Sequence, residues 1–394
     1  HLAGKTSLIT GGTVDNAWGN VYRPFQLFTN SGKSWNSIIL YEPADRDAMR
    51  VAADPLDNEH VFVSSWGNGL YEFKDGSLVN NFNQYNSPLA SIIPGENYSR
   101  ICGLAFDETG NLWMTQSGVP GILKALLRDG TWVSVALTPN VPVAGDMVID
   151  ENGFIWVLLP RGHGLLIYDP AGTPGNISDD RYTRLQVEDA EGYVMNNLFS
   201  IASDIEGNIW VGTDRGPAVY YNPSKAFSSD LKASRIKIPR NDGSGLADYL
   251  LGTETVTSIA VDGADRKWFG TLSSGAYLLS EDGKEQLYHF NTSNSPLLSD
   301  NIVKVSINGL TGEVWFGTSE GIVSFRGDAT TGKSDYSGMY VFPNPIREDF
   351  EGVVTITGLI ENSTVKITDI SGNLVWETTS SGGQATWDLR NYRS

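Results

Sequence analysis

One phrase returns six times along this chain: an apolar run, an acidic turn, a strand centred on an aromatic residue, and a glycine loop. It reads Leu104-Ala-Phe-Asp-Glu-Thr-Gly-Asn-Leu-Trp113, Val148-Ile-Asp-Glu-Asn-Gly-Phe-Ile-Trp156 and Ile201-Ala-Ser-Asp-Ile-Glu-Gly-Asn-Ile-Trp210. Ile259-Ala-Val-Asp-Gly-Ala-Asp-Arg-Lys-Trp268 and Val305-Ser-Ile-Asn-Gly-Leu-Thr-Gly-Glu-Val-Trp315 continue it, and a degenerate first copy over 51–62 has Phe62 in the Trp slot. From Asp107, Asp150, Asp204 and Asp262 the Trp follows at a spacing of six. A strand-built period of roughly 43–58 residues predicts a β-propeller, because each small sheet can bury its faces only against its neighbours.

The copy from Val256 to Asn291 shows how one repeat makes one blade. Thr257–Val261 alternates as an inner strand, and Asp262-Gly-Ala-Asp265 supplies the side-chain acceptors and permissive backbone of a turn. Lys267–Thr271, Ala276–Ser280 and Gln286–Phe290 follow as three further strands. The Trp is expected to wedge between adjacent blades, a packing role. Before the first copy, Lys5–Thr10, Phe25–Phe28 and Lys33–Ile38 read as further strands, so seven blades are expected, with six as the alternative.

At 394 residues the chain has room for one large repeat domain and a small one. A net charge of −18 argues against a nucleic-acid or anionic-membrane surface, although a local basic pocket is compatible with it. Cys102 is alone, which excludes an intrachain disulfide and a Cys-based metal cluster. No run approaches 18 apolar residues, so no transmembrane helix is expected. No leader segment is visible, and His1-Leu-Ala-Gly-Lys5 reads as a start inside a domain.

The repeat resembles the two-component regulator propeller repeat, Asp-x-x-Gly-Asn-Ile-Trp-hydrophobic-Gly-Thr-x-x-Gly-hydrophobic. Asp204 through Val219 fits it, with Gly212-Thr213 and Gly216 in place; Gly270-Thr271, Gly317-Thr318 and Gly321 repeat the fit. The tail is similar to the C-terminal domain of type IX secretion cargo of Bacteroidetes. Tyr340-Val-Phe-Pro-Asn-Pro345 matches that domain's opening, Val365–Trp376 its central hairpin, and Gly383–Asn391 its next strand. Together the two resemblances imply an all-β chain, with a propeller over 1–335 and a small immunoglobulin-like β-sandwich over 336–394. They also imply a surface component of the type IX system, working with lipopolysaccharide and partner proteins. Such components have two propellers and a longer tail, so a longer parent protein is expected.

The residues themselves offer little catalysis. The Asp/Asn/Gly turns lack the ligand spacing of a calcium loop and are explained by turn chemistry. His1, His60, His163 and His289 are scattered without metal spacing, and no nucleophile elbow or phosphate loop is present. No metal, cofactor or catalytic residue is assigned. Propeller ligands gather where loops converge near the axis: Ser64–Asn68, Gln116–Gly118, Arg161–His163, Asp214-Arg215, Ser273-Ser274, Ser319-Glu320 and the connector with Tyr98 and Arg100. There Trp66, Arg100, Arg161, His163 and Arg215 form a candidate face, suited to a sugar with acidic groups through stacking and forked donors. The expected function is a noncatalytic surface or periplasmic binding protein. The alternatives are a periplasmic glycan-sensing propeller of a hybrid two-component system and, behind it, a propeller carbohydrate-active enzyme.

Overall fold

The computed structural model describes residues 2–3, 6–15, 18–32, 34–135, 137 and 141–389. His1, Lys5, Lys33 and the end of the tail from Arg390 lie outside the described residues, so the strands expected at Lys5 and Lys33 and the tail strand reaching Asn391 are described only in part. Among the described residues the fold is all-β, its one helical element being a 3-10 turn at Pro223–Lys225. Two compact units divide the chain, His1–Thr257 and Ser258–Ser394. The boundary expected at 335 falls inside the second.

Seven antiparallel meanders follow one another, each a propeller blade. The first uses Leu2–Ala3, Thr6–Thr10, Phe25–Asn30 and Trp35–Leu40; the second uses Ala48–Asp54, Asp57–Gly67, Leu70–Lys74 and Ser77–Phe82. Ser99–Phe106, Leu112–Ser117, Leu123–Leu126 and Trp132–Val135 make the third, and Met147–Ile149, Ile155–Leu159, Gly164–Asp169 and Arg181–Leu185 the fourth. The fifth has three strands, Leu198–Ser203, Ile209–Thr213 and Gly216–Tyr220, with Ser234 bonded to Val219 in the place of a fourth. In the second unit the sixth blade matches the sequence reading almost residue for residue, and Ile302–Asn308, Glu313–Thr318 and Gly321–Arg326 make the seventh.

The repeated Trp does wedge blades. Trp113 lies 5.8 Å from Tyr168 of the next blade, Trp156 5.6 Å from Tyr220, and Trp268 5.2 Å from Phe316. The spacing of six has a second cause that packing alone does not reveal. The indole Nε1 of Trp113, Trp156 and Trp210 donates to the carboxylate of Asp107, Asp150 and Asp204 at 2.9, 2.8 and 2.7 Å. The other carboxylate oxygen closes the turn: Asp150 Oδ1 accepts the amides of Asn152 and Phe154 at 2.8 and 2.9 Å. One acid thus ties the hairpin loop to the wedge.

The sixth repeat keeps the spacing and breaks the tie. Asp262 bonds Arg266 Nε at 2.8 Å instead, and Trp268 Nε1 is buried without a hydrogen-bond partner. The first copy, with Phe62, has no indole to offer; its Asp54 faces Arg128 at 3.4 Å and His60 at 3.6 Å. Inner strands are also stitched sideways, with Ser64 Oγ donating to the Cys102 carbonyl at 2.8 Å and Thr115 Oγ1 to that of Gly145 at 2.7 Å.

Lys124 is a local liability of the third blade. It is 2% exposed, and its ammonium donates to the Gly121 carbonyl at 2.9 Å and Ser134 Oγ at 2.6 Å, both neutral. Burial without an acid lowers its pKa from 10.5 to about 8. The unfolded chain therefore holds more protons between about pH 8 and 10.5, and this site makes stability rise with pH across that window. Lys124→Met is expected to be more stable than the parent by roughly 2 kcal/mol at pH 7. That advantage should shrink towards pH 10.5 in denaturant titrations; a gap that does not change with pH would contradict the assignment.

The tail is a small sandwich. One sheet orders Tyr340–Phe342, Val354–Thr357 and Gln384–Trp387; the other is the hairpin Thr364–Thr368 with Leu374–Thr379. Ile356, Leu359 and Ala385 fill the space between them, and Trp376 stacks at 5.9 Å on Trp387. Backbone hydrogen bonds join this sandwich to the blades of its unit, and Gln384 Nε2 adds a longer one to the Gly327 carbonyl at 3.5 Å. Gly383 N donates to the Thr330 carbonyl at 2.7 Å, and Lys333 N to that of Leu359 at 2.8 Å. A Cβ on Gly263, in the first turn of the sixth blade, would sit 2.0 Å from the Thr330 oxygen, and one on Gly382 2.1 Å from that oxygen and from Gly263's own.

Candidate functional site

Turns between second and third strands, and connectors between blades, open on one face of each blade. In the fourth and fifth blades they are stitched into a continuous rim. Arg161 heads a tight turn with φ 62°, a left-handed conformation uncommon for a branched side chain. The next residue, Gly162, donates its amide to Asn196 O at 3.0 Å and accepts Gln186 Nε2 at 3.3 Å. Asn197 Nδ2 then reaches Asp214 Oδ2 at 2.8 Å, while Asp214 N returns to Asn197 O at 3.2 Å.

Arg215 follows on that rim. Its amide is held by Thr213 Oγ1 at 2.9 Å, and its carbonyl accepts Arg235 Nη2 at 3.3 Å. Arg235 is itself clamped between Tyr193 and Tyr249, at 5.0 and 3.6 Å from the ring centroids. Three of the five sequence-chosen residues therefore share one braced rim. Arg161 and Arg215 are exposed there, and His163 is half-buried. The backbone is fixed and the two guanidiniums are left to solvent.

Trp66 and Arg100 lie together elsewhere, at the junction of the second and third blades. Trp66 sits not in a loop but within the strand Asp57–Gly67, paired with Arg100 across the blades, and is 0% exposed. Arg100 covers it at 5.4 Å, and Trp18 packs against it at 5.7 Å while accepting its indole proton through the Trp18 carbonyl at 3.2 Å. The ring expected to stack on a sugar is thus already stacked. Its cover is Trp18, with Val14 packed in the same cluster, from a stretch of the first blade with no repeat and therefore no register to read.

The same segment brings residues that sequence reasoning missed. Asp47, wholly buried, accepts Asn20 Nδ2 at 2.9 Å and the amides of Tyr22 and Arg23 at 3.1 and 3.0 Å. Asn20 then accepts the Tyr98 hydroxyl and Arg100 Nη2, the latter at 3.2 Å. Arg46 lies between Tyr22 and Tyr98, 5.6 and 5.2 Å from their centroids. Its aliphatic stem and Nε run flat over Gly67, where a Cβ would sit 3.0 Å from Nε.

His60 and His289 are explained by structure. His60 Nε2 bonds Glu72 at 2.7 Å, and His289 stacks on Tyr277 at 4.0 Å with Nε2 2.7 Å from the Ser274 carbonyl. Among the described residues no group of three or more His, Cys, Asp or Glu is placed to hold a metal ion. No described helix is long and apolar enough to cross a membrane. What the rim can do is present cationic, forked donors from a fixed backbone.

No protein-family model matches the chain, and no curated protein matches it in sequence. Solved structures do. PorZ, an essential bacterial surface component of the type IX secretion system of Porphyromonas gingivalis, superimposes with a TM-score of 0.77 at 31% identity, over 99% of this chain. The chain spans 54% of the length of PorZ. The extracellular domain of a hybrid two-component system of B. thetaiotaomicron gives 0.54 at 15% identity, covering 95% of this chain and 46% of that one. An inactive virginiamycin B lyase of Staphylococcus aureus, with quinupristin, gives 0.53 at 12% over 81% and 98%. The last two share the fold and no more; the likeness to PorZ runs through blades and tail alike.

Proposed function

We propose that the chain is a noncatalytic binding and scaffold component of the bacterial cell surface or periplasm, acting like PorZ in type IX secretion or attachment. The observation that carries the reading is the 31% identity to PorZ across 99% of the chain, sandwich included. In this reading the propeller over 1–335 and the sandwich over 336–394 work as two modules. The propeller rim holds an anionic glycan or lipopolysaccharide, and the tail and blade edges meet partner proteins.

Two physical features support a binding role. The rim of Arg161, His163 and Arg215 has a braced backbone and free guanidiniums, which suits recognition of carboxylate or phosphate groups. His60, His289 and the buried Asp150 are engaged in structural contacts rather than grouped as nucleophile, base and acid. A sensing propeller would share the fold but not the tail.

Deleting the gene in the producing bacterium tests the role. Type IX cargo is expected to be lost from the cell surface and restored by the intact gene; unchanged surface cargo would sink the proposal. The rim is tested with the purified chain and lipopolysaccharide from the same cells. Arg161→Ala and Arg215→Ala are each expected to weaken binding by roughly three- to tenfold, as solvent-facing charge contacts do. Equal binding by both variants would remove the rim from the site.

A further inference from the structure

The strongest unassigned feature lies at the junction of the second and third blades. Tyr22, Arg46, Tyr98, Arg100 and Trp66 alternate ring and guanidinium in a single ladder, with centroid distances of 5.6, 5.2, 5.1 and 5.4 Å. Two cations therefore lie against Tyr98. Ring faces favour a cation but accept no strong hydrogen bond, so stacking leaves the guanidinium donors unspent.

The donors are indeed unspent. Nε of Arg46 and Nε of Arg100 are both buried without a hydrogen-bond partner. Arg100 bonds through Nη2 alone, to Asn20 Oδ1 at 3.2 Å and the Tyr98 hydroxyl at 3.4 Å. Neither arginine has an ion pair among the described residues, although acids outnumber bases 46 to 28 in the chain. The nearby carboxylates are committed to other donors. Asp47 takes Asn20, Tyr22 and Arg23, and Asp45 takes Asn68 Nδ2 at 2.8 Å and the Tyr71 hydroxyl. A buried unpartnered donor costs free energy, and two adjacent cations that remain part-exposed and hold no carboxylate of the chain's own leave an anion's place open.

We infer that Arg46 and Arg100 form an oxyanion site, receiving a carboxylate or phosphate group carried on a saccharide. This rests on the reading of the propeller as a glycan binder and goes beyond the rim, naming the ligand's charged group and a second pair of residues that take it. Tyr22, 66% exposed, offers an open ring edge beside the site for the sugar. Gly67 keeps the space over its own strand clear for the Arg46 stem.

The test is calorimetric titration of the full chain with three probes: tetragalacturonate, mannose 6-phosphate and neutral galactotetraose. At least one acidic probe is expected to bind, and which one does so separates carboxylate from phosphate recognition. Arg46→Gln and Arg100→Gln keep a polar side chain without the charge and are each expected to weaken that probe about tenfold or more, the loss typical of a charged hydrogen bond. Arg326→Ala, an exposed arginine given no part in binding, should change it less than about twofold. Near-ultraviolet circular dichroism confirms that each variant is folded, and Arg100→Lys retains charge without the fork as a second check.

Failure of both acidic probes to bind, equal binding of the neutral tetrasaccharide, or unchanged affinity in a folded Arg46→Gln/Arg100→Gln variant would each overturn the site. The cargo phenotype of the gene deletion is read in cells without any of these probes. A failed titration with an intact phenotype would therefore discard this site and leave the secretion role standing.

Discussion

Trp156→Ala is expected to cost about 3–5 kcal/mol, the range for truncating a buried large aromatic. Trp156 is 0% exposed, stacks against Tyr220 of the next blade and donates to Asp150 at 2.8 Å. The alanine variant loses all three and leaves Asp150 Oδ2 without its donor in a buried turn. On a unit of this size the loss corresponds to a melting point lower by roughly 10 °C. The sharper comparison uses phenylalanine. Trp156→Phe removes the indole N–H that Asp150 needs, whereas Trp268→Phe removes one that bonds nothing. The first should cost roughly 1–2 kcal/mol more than the second. Equal shifts in thermal midpoints would mean that the Asp–Trp tie adds nothing beyond packing.

Asp265→Asn is the second large effect, again about 3–5 kcal/mol. Lys267 is 0% exposed, with Nζ 2.8 Å from Asp265 Oδ2 and 2.6 Å from the Glu281 carbonyl. Removing the negative charge leaves the ammonium buried in the sixth blade without that ion pair. Asparagine is the informative replacement because Asp265 holds φ 56°, a conformation asparagine tolerates, so backbone strain stays out of the comparison. Adding Lys267→Met removes that buried charge and should recover at least half of the loss. Urea midpoints of the parent, both single variants and the double measure this directly, and a harmless Asp265→Asn would show that the pair carries no weight.

The sequence reading reached the blades because their period is written in local chemistry. Acid, glycine and Trp recur at fixed spacing since one carboxylate must serve a turn and an indole together. Reading the Trp as a wedge captured half of that cause. The other half needed distances, and they show Asp262 obeying the spacing while serving Arg266. The candidate face divided for a related reason. Arg161, His163 and Arg215 sit in turns inside the repeat, where register places them. Trp66 also occupies a register position, but Trp18, from an irregular stretch of the first blade, lies over it, and nothing in the repeat foretells a cover. Asn20 was silent because it belongs to that irregular stretch, and Arg46 because it lies in the connector before the second blade; tertiary contact alone gives them meaning.

The glycine seam of the second unit has a consequence for how such molecules can be built. Three peptide planes, at Gly263, Thr330 and Gly382, meet with no room for a β-carbon on either glycine. A tail attached by a pliant linker can be cut off and grafted onto any carrier. This one is matched to a particular turn of a particular blade, as a key is to its lock. Moved to a foreign propeller, the sandwich would meet side chains where it requires bare backbone. The portable module is therefore the sandwich together with its last two blades.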